Sequence, residues 1–467
     1  MTYASFTLAE WLAVLQHELL LFAAIFFVIG AADELAVDIG WLWLRLTGRG
    51  KAQRCGTGNG ADQALSGMAA VFIPAWQEAA VIGTTISHAL SVWPQSKLRI
   101  YVGCYRNDVA TIAAVIEAAG GDQRLRLVIH DVAGPSTKAD CLNRLYAALS
   151  EDERRSGNNS HMVLLHDAED MVDPAGLALL DRAIQQAELA QLPVLPMPQP
   201  RSRWIGSHYC EEFAEAHGKA MVLRDAMGTG LPSAGVGCAI SRGALFLLAA
   251  ERGENAPFAA DCLTEDYELG LSIAEMGGRT RFVRARHADG QLVATRACFP
   301  HELRAAVRQK TRWVLGIAFQ GWDRMGWNGS LAERWMRLRD RRGPFTALVL
   351  AAAYALLVLA GFASLLSLLG LGAPFEISPL LRALLVINFA SFLWRAAFRF
   401  AFTAHEYGAM EGLRSILRIP VTNVIAIMAG RRALVSYLAS LAGKMPAWDK
   451  TAHDAHPASP NPREALT

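Results

Sequence analysis

Long apolar segments near both ends of the chain set the first constraint on its fold. Residues 19–32 are almost purely apolar. With their flanks they reach the roughly 20 residues that a helix needs to span a bilayer. Residues 345–371 form a second such segment, and residues 380–394 or a little beyond form a third. We therefore predict an N-terminal transmembrane anchor over residues 1–46 and two transmembrane helices over residues 345–403.

Basic residues flank these spans on one side only. The anchor is followed by Arg45 and Arg49. The second span is preceded by a run of arginines that ends at Arg342, and the third is followed by Arg395 and Arg399. Since cytoplasmic flanks carry the excess of Lys and Arg, we expect the N-terminus outside and the region between the spans in the cytoplasm. The sequence thus predicts a multi-pass membrane protein with a large cytoplasmic domain.

The C-terminal region predicts an interfacial helix and a disordered tail. Its apolar stretch, residues 419–430, is only about half as long as a spanning helix and has arginines on both sides. We therefore predict an interfacial or re-entrant segment over residues 404–451. Residues 452–467 are rich in Ala, Pro, His and Ser, so we expect them to be disordered.

The overall composition argues against a nucleic-acid partner and against a cysteine-based metal site. The 45 basic and 43 acidic residues nearly cancel, which leaves no electrostatic reason to expect binding to nucleic acid. The seven cysteines include no Cys-x-x-Cys pair and show no metal-binding spacing. We predict free thiols in a reducing compartment.

The region between the spans alternates short apolar runs with helical patterns. The apolar runs are residues 67–74, 98–103, 124–130 and 162–165. Strands that alternate with helices indicate a parallel sheet covered on both faces, which binds ligands at the carboxyl ends of its strands. No Gly-x-Gly-x-x-Gly or P-loop motif follows the first run, so neither an ordinary dinucleotide fold nor a P-loop enzyme is expected. The predicted class is α/β, over residues 65–325.

Three acidic residues follow the fourth apolar run. Asp167, Glu169 and Asp170 come directly after His166, where a strand would deliver them into a turn. Like charges crowded at a strand end repel each other unless a cation neutralises them, and Mg²⁺ prefers carboxylate and phosphate oxygens. The pattern indicates a metal site that bridges a diphosphate. A solvated helix start with acids in its first turn fits the same residues.

Two further polar clusters follow later in the domain. Lys138 lies in a turn after the third apolar run, where its ammonium would bring positive charge to bound phosphates. An exposed lysine at a helix start is the alternative interpretation. Glu265 and Asp266 follow Thr264 directly before a helical run. That pattern is also typical of a threonine cap with acids in the first helical turn.

The last polar cluster lies shortly before the second span. At helical spacing Gln309 and Arg312 share one face of an amphipathic helix, and Trp313 lies beside that face. These residues belong either to a binding site or to an interfacial helix with an aromatic anchor and snorkelling cations.

A first set of motifs occurs in order along the domain. It consists of Pro-Ala-x-x-Glu at 74–78, Lys-Ala-x-x-Leu-Asn at 138–143, Asp-Ala-Glu-Asp at 167–170, Thr-Glu-Asp at 264–266 and Gln-x-x-Arg-Trp at 309–313. In this order the motifs resemble those of the membrane-embedded family 2 glycosyltransferases, the group that contains cellulose and hyaluronan synthases.

A second set of motifs overlaps the first. It consists of Tyr-x-Asn-Asp at 105–108, Gly-Pro-x-x-Lys-Ala-Asp-Cys-Leu-Asn at 134–143, His-Asp-Ala-Glu-Asp at 166–170, Pro-Ser-Ala-Gly-Val-Gly at 232–237 and Trp-Asp-Lys-Thr at 448–451. This set resembles the glycosyltransferase-like phage-adsorption proteins of the bacterial inner membrane.

The resemblance implies a GT-A fold, which is a Rossmann-like α/β domain, and inverting transfer of a sugar from a nucleotide diphosphate donor, usually a UDP-sugar. Mg²⁺ or Mn²⁺ is the implied cofactor, held at Asp167 with Glu169 or Asp170 as a further ligand. The turn after the first strand and the loop after the second would hold the base and ribose, and Lys138 would lie near the phosphates. The implied donor-site residues are Ala75, Glu78, Asn107, Asp108, Lys138 and Asp167.

The same resemblance makes Asp266 the general base that takes the proton from the acceptor hydroxyl, and it adds the neighbouring Glu265 to the catalytic set. Arg312, with the metal, would stabilise charge on the leaving diphosphate. Gln309 and Trp313 would line the acceptor site, where an indole face suits the apolar face of a sugar ring. The implied product is a growing envelope polysaccharide at the bacterial inner membrane.

The partners implied are a nucleotide-sugar donor, a polysaccharide or lipid-linked acceptor, membrane lipids and an export partner in the outer membrane or periplasm. Two alternatives stay open at this point. One is an envelope scaffold or phage-receptor component that has lost the chemistry, and the other is transfer of a single sugar to a lipid acceptor.

Overall fold

The computed structural model describes residues 7–55, 63–253, 256–370, 377–443 and 456–458. Its helices are α1 (Leu8–Leu46), α2 (Ile82–Val92), α3 (Val109–Ala119), α4 (Lys138–Ser156), α5 (Gly176–Ile184), α6 (His208–Glu215), α7 (Met221–Ala226), α8 (Arg242–Arg252), α9 (Glu265–Glu275), α10 (Leu303–Val314), α11 (Gly321–Met325), α12 (Leu331–Arg341), α13 (Gly343–Leu368), α14 (Pro379–Tyr407), α15 (Ala409–Leu417) and α16 (Ile419–Leu441). Its strands are β1 (Gln53–Arg54), β2 (Met68–Pro74), β3 (Leu98–Tyr105), β4 (Leu125–His130), β5 (Ser160–Leu165), β6 (Leu189–Gln191), β7 (Val194–Pro196), β8 (Cys238–Ser241), β9 (Thr280–Phe282), β10 (Ala285–Arg286) and β11 (Thr295–Ala297). Two π-helical segments, Ala216–Ala220 and Leu315–Gln320, join α6 to α7 and α10 to α11.

A seven-stranded sheet forms the centre of the α/β domain, in the order β4-β3-β2-β5-β8-β6-β9. Strand β2 pairs in parallel with β3 on one side and with β5 on the other. The four apolar runs of the sequence are β2, β3, β4 and β5, each within two residues at either end. The prediction of an α/β domain is therefore confirmed.

One strand departs from the predicted parallel arrangement, because β8 runs antiparallel to both β5 and β6. The helices α6 and α7 lie between β5 and β8 in the chain. Strand β8 begins with Cys238 beside Leu165 and runs back along β5. As a result, the glycine-rich segment before β8 lies at the same edge of the sheet as the residues that follow β5.

The side chains of β2 alternate between two hydrophobic cores, one on each face of the sheet. Val71 and Ile73 belong to the core that includes α2 and α5. Ala70 and Phe72 belong to the core that includes α4 and α8. Because both faces are covered, the strand is apolar along nearly its whole length. This packing fixes the end of β2, and with it the turn that begins at Ala75.

Among the described residues, four helices are long and apolar enough to cross a membrane by length and composition, namely α1, α13, α14 and α16. The first three coincide with the segments predicted to span. The helix α16 runs on to Leu441, so it is longer than the apolar stretch 419–430 that the sequence indicated.

Both ends of α16 contact the α/β domain. Just before its first residue, Arg418 Nη2 lies 2.7 Å from Glu211 Oε2, and near its last turn the Tyr437 hydroxyl donates to Asp323. These contacts suit the predicted interfacial position, which stays a prediction. The 448–451 motif and the predicted disordered tail, apart from residues 456–458, lie outside the described residues.

An ionic cluster joins α1 to the α/β domain. The buried Lys219 ammonium, in the first π-helical segment, lies 2.5 Å from Asp38 Oδ1 of α1 and 2.7 Å from Glu215 Oε1. Glu34 of α1 pairs with Arg395 of α14, with 3.0 Å between Oε2 and Nη1. Removing one partner from a buried ion pair leaves an uncompensated charge, so these contacts hold α1 firmly against the domain.

Replacement of Lys219 by methionine keeps the side-chain length but removes the buried cation from Asp38, while Glu215 keeps a contact with Arg395, with 2.8 Å between Oε1 and Nη2. We expect Lys219→Met to lower the free energy of unfolding by about 3–5 kcal/mol, seen as a lower thermal unfolding midpoint of the detergent-solubilised protein. Lys97→Met is the control, since this ammonium is exposed and donates to the Leu65 carbonyl. Equal midpoints for Lys219→Met and the unmodified protein would contradict the role given to the cluster.

Candidate active site

A cavity of about 730 Å³ opens at the carboxyl ends of β2 and β5 and extends to α9, α10 and the end of α12. It brings together the candidate residues from five separate motifs. The predicted residues that line it are Ala75, Glu78, Lys138, Asp167, Glu169, Asp170, Glu265, Asp266, Gln309, Arg312 and Trp313.

The acidic turn after β5 is shaped by its last carboxylate. Asp170 Oδ2 accepts a hydrogen bond from the Asp167 backbone N–H at 2.9 Å and lies 3.0 Å from His166 Nδ1. Asp170 is 1% exposed. Its carboxylate is thus engaged within the turn, whereas Asp167 and Glu169 are the carboxylates that follow the strand into the cavity.

Lys138 forms the ion pair at the centre of the site. Its ammonium lies 2.5 Å from Asp167 Oδ1. Although burial opposes the charged form, Asp167, Glu265 and Asp266 raise the pKa of Lys138 above its usual value. Lys138 is the first residue of α4, and the preceding Thr137 caps that helix by accepting from the Asp140 N–H. The helix start and the charged contact with the cavity therefore occur together.

Glu265 and Asp266 begin α9 beside this ion pair. Burial raises the pKa of Asp266, and Lys138 opposes that shift. Burial, and next the charge of Asp266, raise the pKa of Glu265 to about 7. The Thr264 side chain makes no capping hydrogen bond, so the expected threonine cap is absent although the helix begins where predicted. A carboxylate held in this environment has a stronger affinity for protons than an exposed one.

The glycine-rich segment before β8 closes over Asp266. Gly235 has φ +73°, and a Cβ added there would lie 2.6 Å from Asp266 Oδ2. On the other side, Asp266 Oδ1 accepts from the Tyr267 N–H at 2.8 Å. Glycine is thus required at 235 both for its backbone conformation and for the close approach to the carboxylate.

The helix α10 presents Gln309 and Arg312 to the cavity. The Gln309 Oε1 atom is buried and has no hydrogen-bond partner among the described residues. The Arg312 guanidinium forms no hydrogen bond or ion pair within the part of the chain that the structure describes. Trp313 lies beside them in an aromatic cluster, with its ring 6.3 Å from that of Phe213 and 6.5 Å from that of Phe299. Unused polar groups beside an aromatic wall suit a polar ligand with an apolar face.

Asn107 and Asp108 are not among the cavity-lining residues. Asp108 accepts the Gln77 N–H at 2.5 Å and caps α3. The Asn107 amide donates to the Gly134 carbonyl at 3.0 Å and accepts the Gly134 N–H at 2.7 Å. Both side chains therefore hold the loops around the cavity in place.

The three acidic residues after β5 do not form a metal site by themselves. Among the residues described, no group of three or more His, Cys, Asp or Glu side chains is placed to hold a metal ion. The sequence left Glu169 and Asp170 open as the further ligand beside Asp167. Because the Asp170 carboxylate is engaged by His166, Glu169 is favoured, and the ligand set stays a prediction. A divalent ion that takes one or two protein carboxylates and completes its shell with substrate phosphates still fits Asp167 and Glu169.

Two contributors to the site were not predicted from the sequence. His456 is 1% exposed, and its Nε2 lies 3.1 Å from the Asp170 carbonyl oxygen. Asp340 lines the cavity and accepts from Arg224 at 2.9 Å and from the Tyr267 hydroxyl at 3.1 Å. The sequence offered only a run of arginines around Asp340, interpreted as a membrane flank, and no local signal at His456.

This arrangement of strands and polar residues matches a known family. A profile described as "Glycosyltransferase like family 2" matches residues 67–316, more than half of the chain. The chain belongs to glycosyltransferase family 2. The α/β domain has the GT-A fold of that family, with apolar helices flanking it. The resemblance drawn from the ordered motifs is therefore confirmed.

Two curated relatives share much of the chain. Bacteriophage adsorption protein B of Escherichia coli K12 is 34% identical over 408 residues, which cover 82% of this chain and 54% of that protein. Bacteriophage N4 adsorption protein B of Escherichia coli O157:H7 gives the same values. The chain thus spans about half the length of the curated relatives it matches.

Solved structures with a similar fold include two glycosyltransferases. The mannosyltransferase PcManGT from Pyrobaculum calidifontis, solved with GDP-Man and Mn²⁺, has a TM-score of 0.49 and 18% identity and covers 87% of this chain and 99% of its own. Glucosyl-3-phosphoglycerate synthase from Mycobacterium tuberculosis has a TM-score of 0.37 and 15% identity and covers 60% of this chain and 88% of its own.

The close approach of Gly235 to Asp266 generates a matched pair of variants. Gly235→Ala should displace the Asp266 carboxylate and lose glycosyltransferase turnover, because the new methyl group collides with Oδ2. Gly228 also has positive φ, +69°, but a methyl group added there would meet nothing within 4 Å. Both variants should lose about 1 kcal/mol of stability from the backbone alone. Equal turnover in the two variants, measured beside their thermal midpoints, would contradict the importance of this contact.

Proposed function

We propose that the protein transfers a sugar, with inversion, from a UDP-sugar to a growing envelope polysaccharide at the inner membrane. The observation that carries the proposal is the convergence of Asp266, Lys138 and Asp167 with Gln309 and Arg312 in one cavity. The family accounts for a glycosyltransferase domain. The chemistry of these side chains supports the finer statement.

Asp266 acts as the general base. Its carboxylate takes the proton from the acceptor hydroxyl as that oxygen attacks the anomeric carbon and the diphosphate leaves from the opposite side. The single displacement inverts the anomeric centre. Burial, which raises the pKa of Asp266, makes it a stronger base than an exposed aspartate. The pKa of the neighbouring Glu265 is raised to about 7, by burial and next by the charge of Asp266.

The donor binds at the ends of β2 and β5. Ala75 and Glu78 line its nucleotide side, and Asn107 and Asp108 act through the loops that they fix. Lys138 lies near the donor phosphates, where its ammonium binds their oxygens. Asp167 and Glu169 would hold Mg²⁺ or Mn²⁺, which would supply positive charge to the diphosphate.

The acceptor approaches from α10. Arg312, which has no ion pair of its own among the described residues, stabilises negative charge on the departing diphosphate. Gln309 binds an acceptor hydroxyl, and Trp313 supports a sugar ring. Arg339 and Arg342 also line the cavity, and they lie where α12 gives way to the membrane-associated helix α13. This position suits an acceptor, polysaccharide or lipid-linked, that is handled next to the membrane and passed on to an export partner.

A second candidate function follows from the curated relatives. Their names assign those proteins to phage adsorption, and 34% identity favours a shared envelope role. In that case the chain would serve as an envelope scaffold or receptor component. Activity measurements distinguish the two functions.

The test is release of UDP by the detergent-solubilised protein with a panel of UDP-sugars, Mg²⁺ or Mn²⁺, and membrane lipids or oligosaccharides as acceptors. We expect turnover with one donor, loss of turnover on chelation, and a reduction of about 10²–10⁴-fold in Asp266→Asn. Asp261→Asn is the control, since that carboxylate is 74% exposed and pairs with Arg324. Turnover with no donor would favour the scaffold, and full activity of Asp266→Asn would remove the base from the mechanism.

The dependence of kcat on pH should report the Asp266 carboxylate. Because burial raises its pKa, activity should rise with pH at values above those at which an exposed aspartate ionises. The Lys138 ammonium favours the ionised form, so Lys138→Met should move this rise to higher pH. A lower kcat at every pH with an unmoved profile would instead assign Lys138 to donor binding alone.

A further inference from the structure

A second cavity, of about 750 Å³, lies on another part of the α/β domain and shares no lining residue with the first. It is formed between the segment that follows α1, the turn after α9, and strand β9 at the edge of the sheet. Its lining is strongly basic. The cations are Arg49, Lys51, Arg279, Arg281 and Arg284.

The carboxylates around this cavity neutralise only part of that charge. Arg281 pairs with Asp225, with 3.1 Å between Nε and Oδ1. Asp225 and Glu333 are the acids that line the cavity. Glu333 Oε1 accepts the Gly230 N–H at 2.7 Å.

Three of the cations have no protein partner in the described part of the chain. The side chains of Arg49, Lys51 and Arg279 form no hydrogen bond or ion pair within those ranges. Arg49 and Lys51 are exposed. Unpaired guanidinium and ammonium groups around one concavity suit phosphate oxygens, which accept several charge-assisted hydrogen bonds at once.

The fifth cation, Arg284, lies close to other positive charges. Its Nη2 pairs with Glu406 Oε1 at 3.0 Å, but its Nε is buried and has no hydrogen-bond partner among the described residues. Burial lowers the pKa of Arg284, Glu406 opposes the shift, and the neighbouring Arg286 and Arg45 add to it. An anion bound in the cavity would relieve this repulsion.

Along the chain, the basic lining of the cavity follows an exposed apolar face of α1. Leu35, Ile39, Trp43 and Leu46 follow each other at helical spacing and are 43%, 58%, 63% and 84% exposed. We call these four residues the α1 stripe. The Gly50 N–H donates to the Leu44 carbonyl at 2.9 Å, which folds the following segment back on the last turn of α1. The first cation of the cavity, Arg49, therefore follows the last residue of the stripe by three positions.

We propose that this cavity binds the phosphate head of an anionic phospholipid, whose acyl chains lie along the α1 stripe. The basic lining accounts for the headgroup, and the apolar stripe, with Trp43 near its end, accounts for the chains. The stripe continues the apolar surface of a helix long enough to cross a membrane, so lipid is already at hand. A free phosphate would use the cations alone.

The experiment compares phosphatidylglycerol with phosphatidylcholine of the same acyl chains, added to the full chain in a neutral detergent. Lipid binding is measured by native mass spectrometry, which needs no donor, acceptor or turnover. The test variant is Arg49→Gln with Lys51→Gln, two exposed side chains whose removal should not disturb the fold. The control is Arg154→Gln with Arg155→Gln on α4, at 71% and 70% exposure, which removes the same charge elsewhere.

We expect the unmodified protein to bind phosphatidylglycerol on the order of tenfold more tightly than phosphatidylcholine. The test variant should lose this preference and the control should keep it. Equal binding of the two lipids by the unmodified protein, or an unchanged preference in the test variant, would overturn the proposal.

A third arm uses inorganic phosphate. If phosphate raises the thermal midpoint of the unmodified protein but not of the test variant, and no lipid preference is found, the site binds free phosphate and the lipid assignment is wrong.

Discussion

The ion pair between Lys138 and Asp167 holds together a site whose other charges repel each other. Asp167, Glu265 and Asp266 all act on the one ammonium, and burial raises the pKa of both carboxyls at the start of α9. Such an arrangement costs folding free energy, and the packed strands around it must supply that energy. The two cores that enclose β2 do so, because they fix the strand ends from which the charged turns emerge. Surplus negative charge beside the Arg312 guanidinium on α10 suits a phosphorylated donor and its counter-ion.

Much of this framework could be predicted from local pattern. The strand β2 reads as a buried strand because neighbouring side chains supply both cores, and the polar clusters follow the strands because a parallel sheet places its loops at one edge. The direction of β8 could not be predicted, since it depends on the path that α6 and α7 take between β5 and β8. Nor could the place of His456, which reaches the acidic turn from far along the sequence and has no periodic signal around it.

The acidic turn shows where residue type and spacing cease to be informative. Glu169 and Asp170 are chemically similar and adjacent, so either could follow Asp167 as a ligand. The turn favours Glu169, because it directs the Asp170 carboxylate to His166 and to the Asp167 N–H. Asp170 therefore acts on the orientation of Asp167, because its side chain is hydrogen-bonded within the turn. The same reasoning applies to Asn107, whose amide is hydrogen-bonded to the Gly134 backbone.

The π-helical segment Ala216–Ala220 has a consequence for how this protein tolerates insertions and deletions. A π turn accommodates one more residue than an α turn, and it sets the rotational register of everything after it. Here it directs Lys219 to Asp38 and leaves the Gly218 carbonyl free to accept from the Trp41 indole at 2.9 Å. Loss of a single residue from this segment would rotate the downstream face by about 100°. The length of this segment is therefore constrained together with the identity of Lys219.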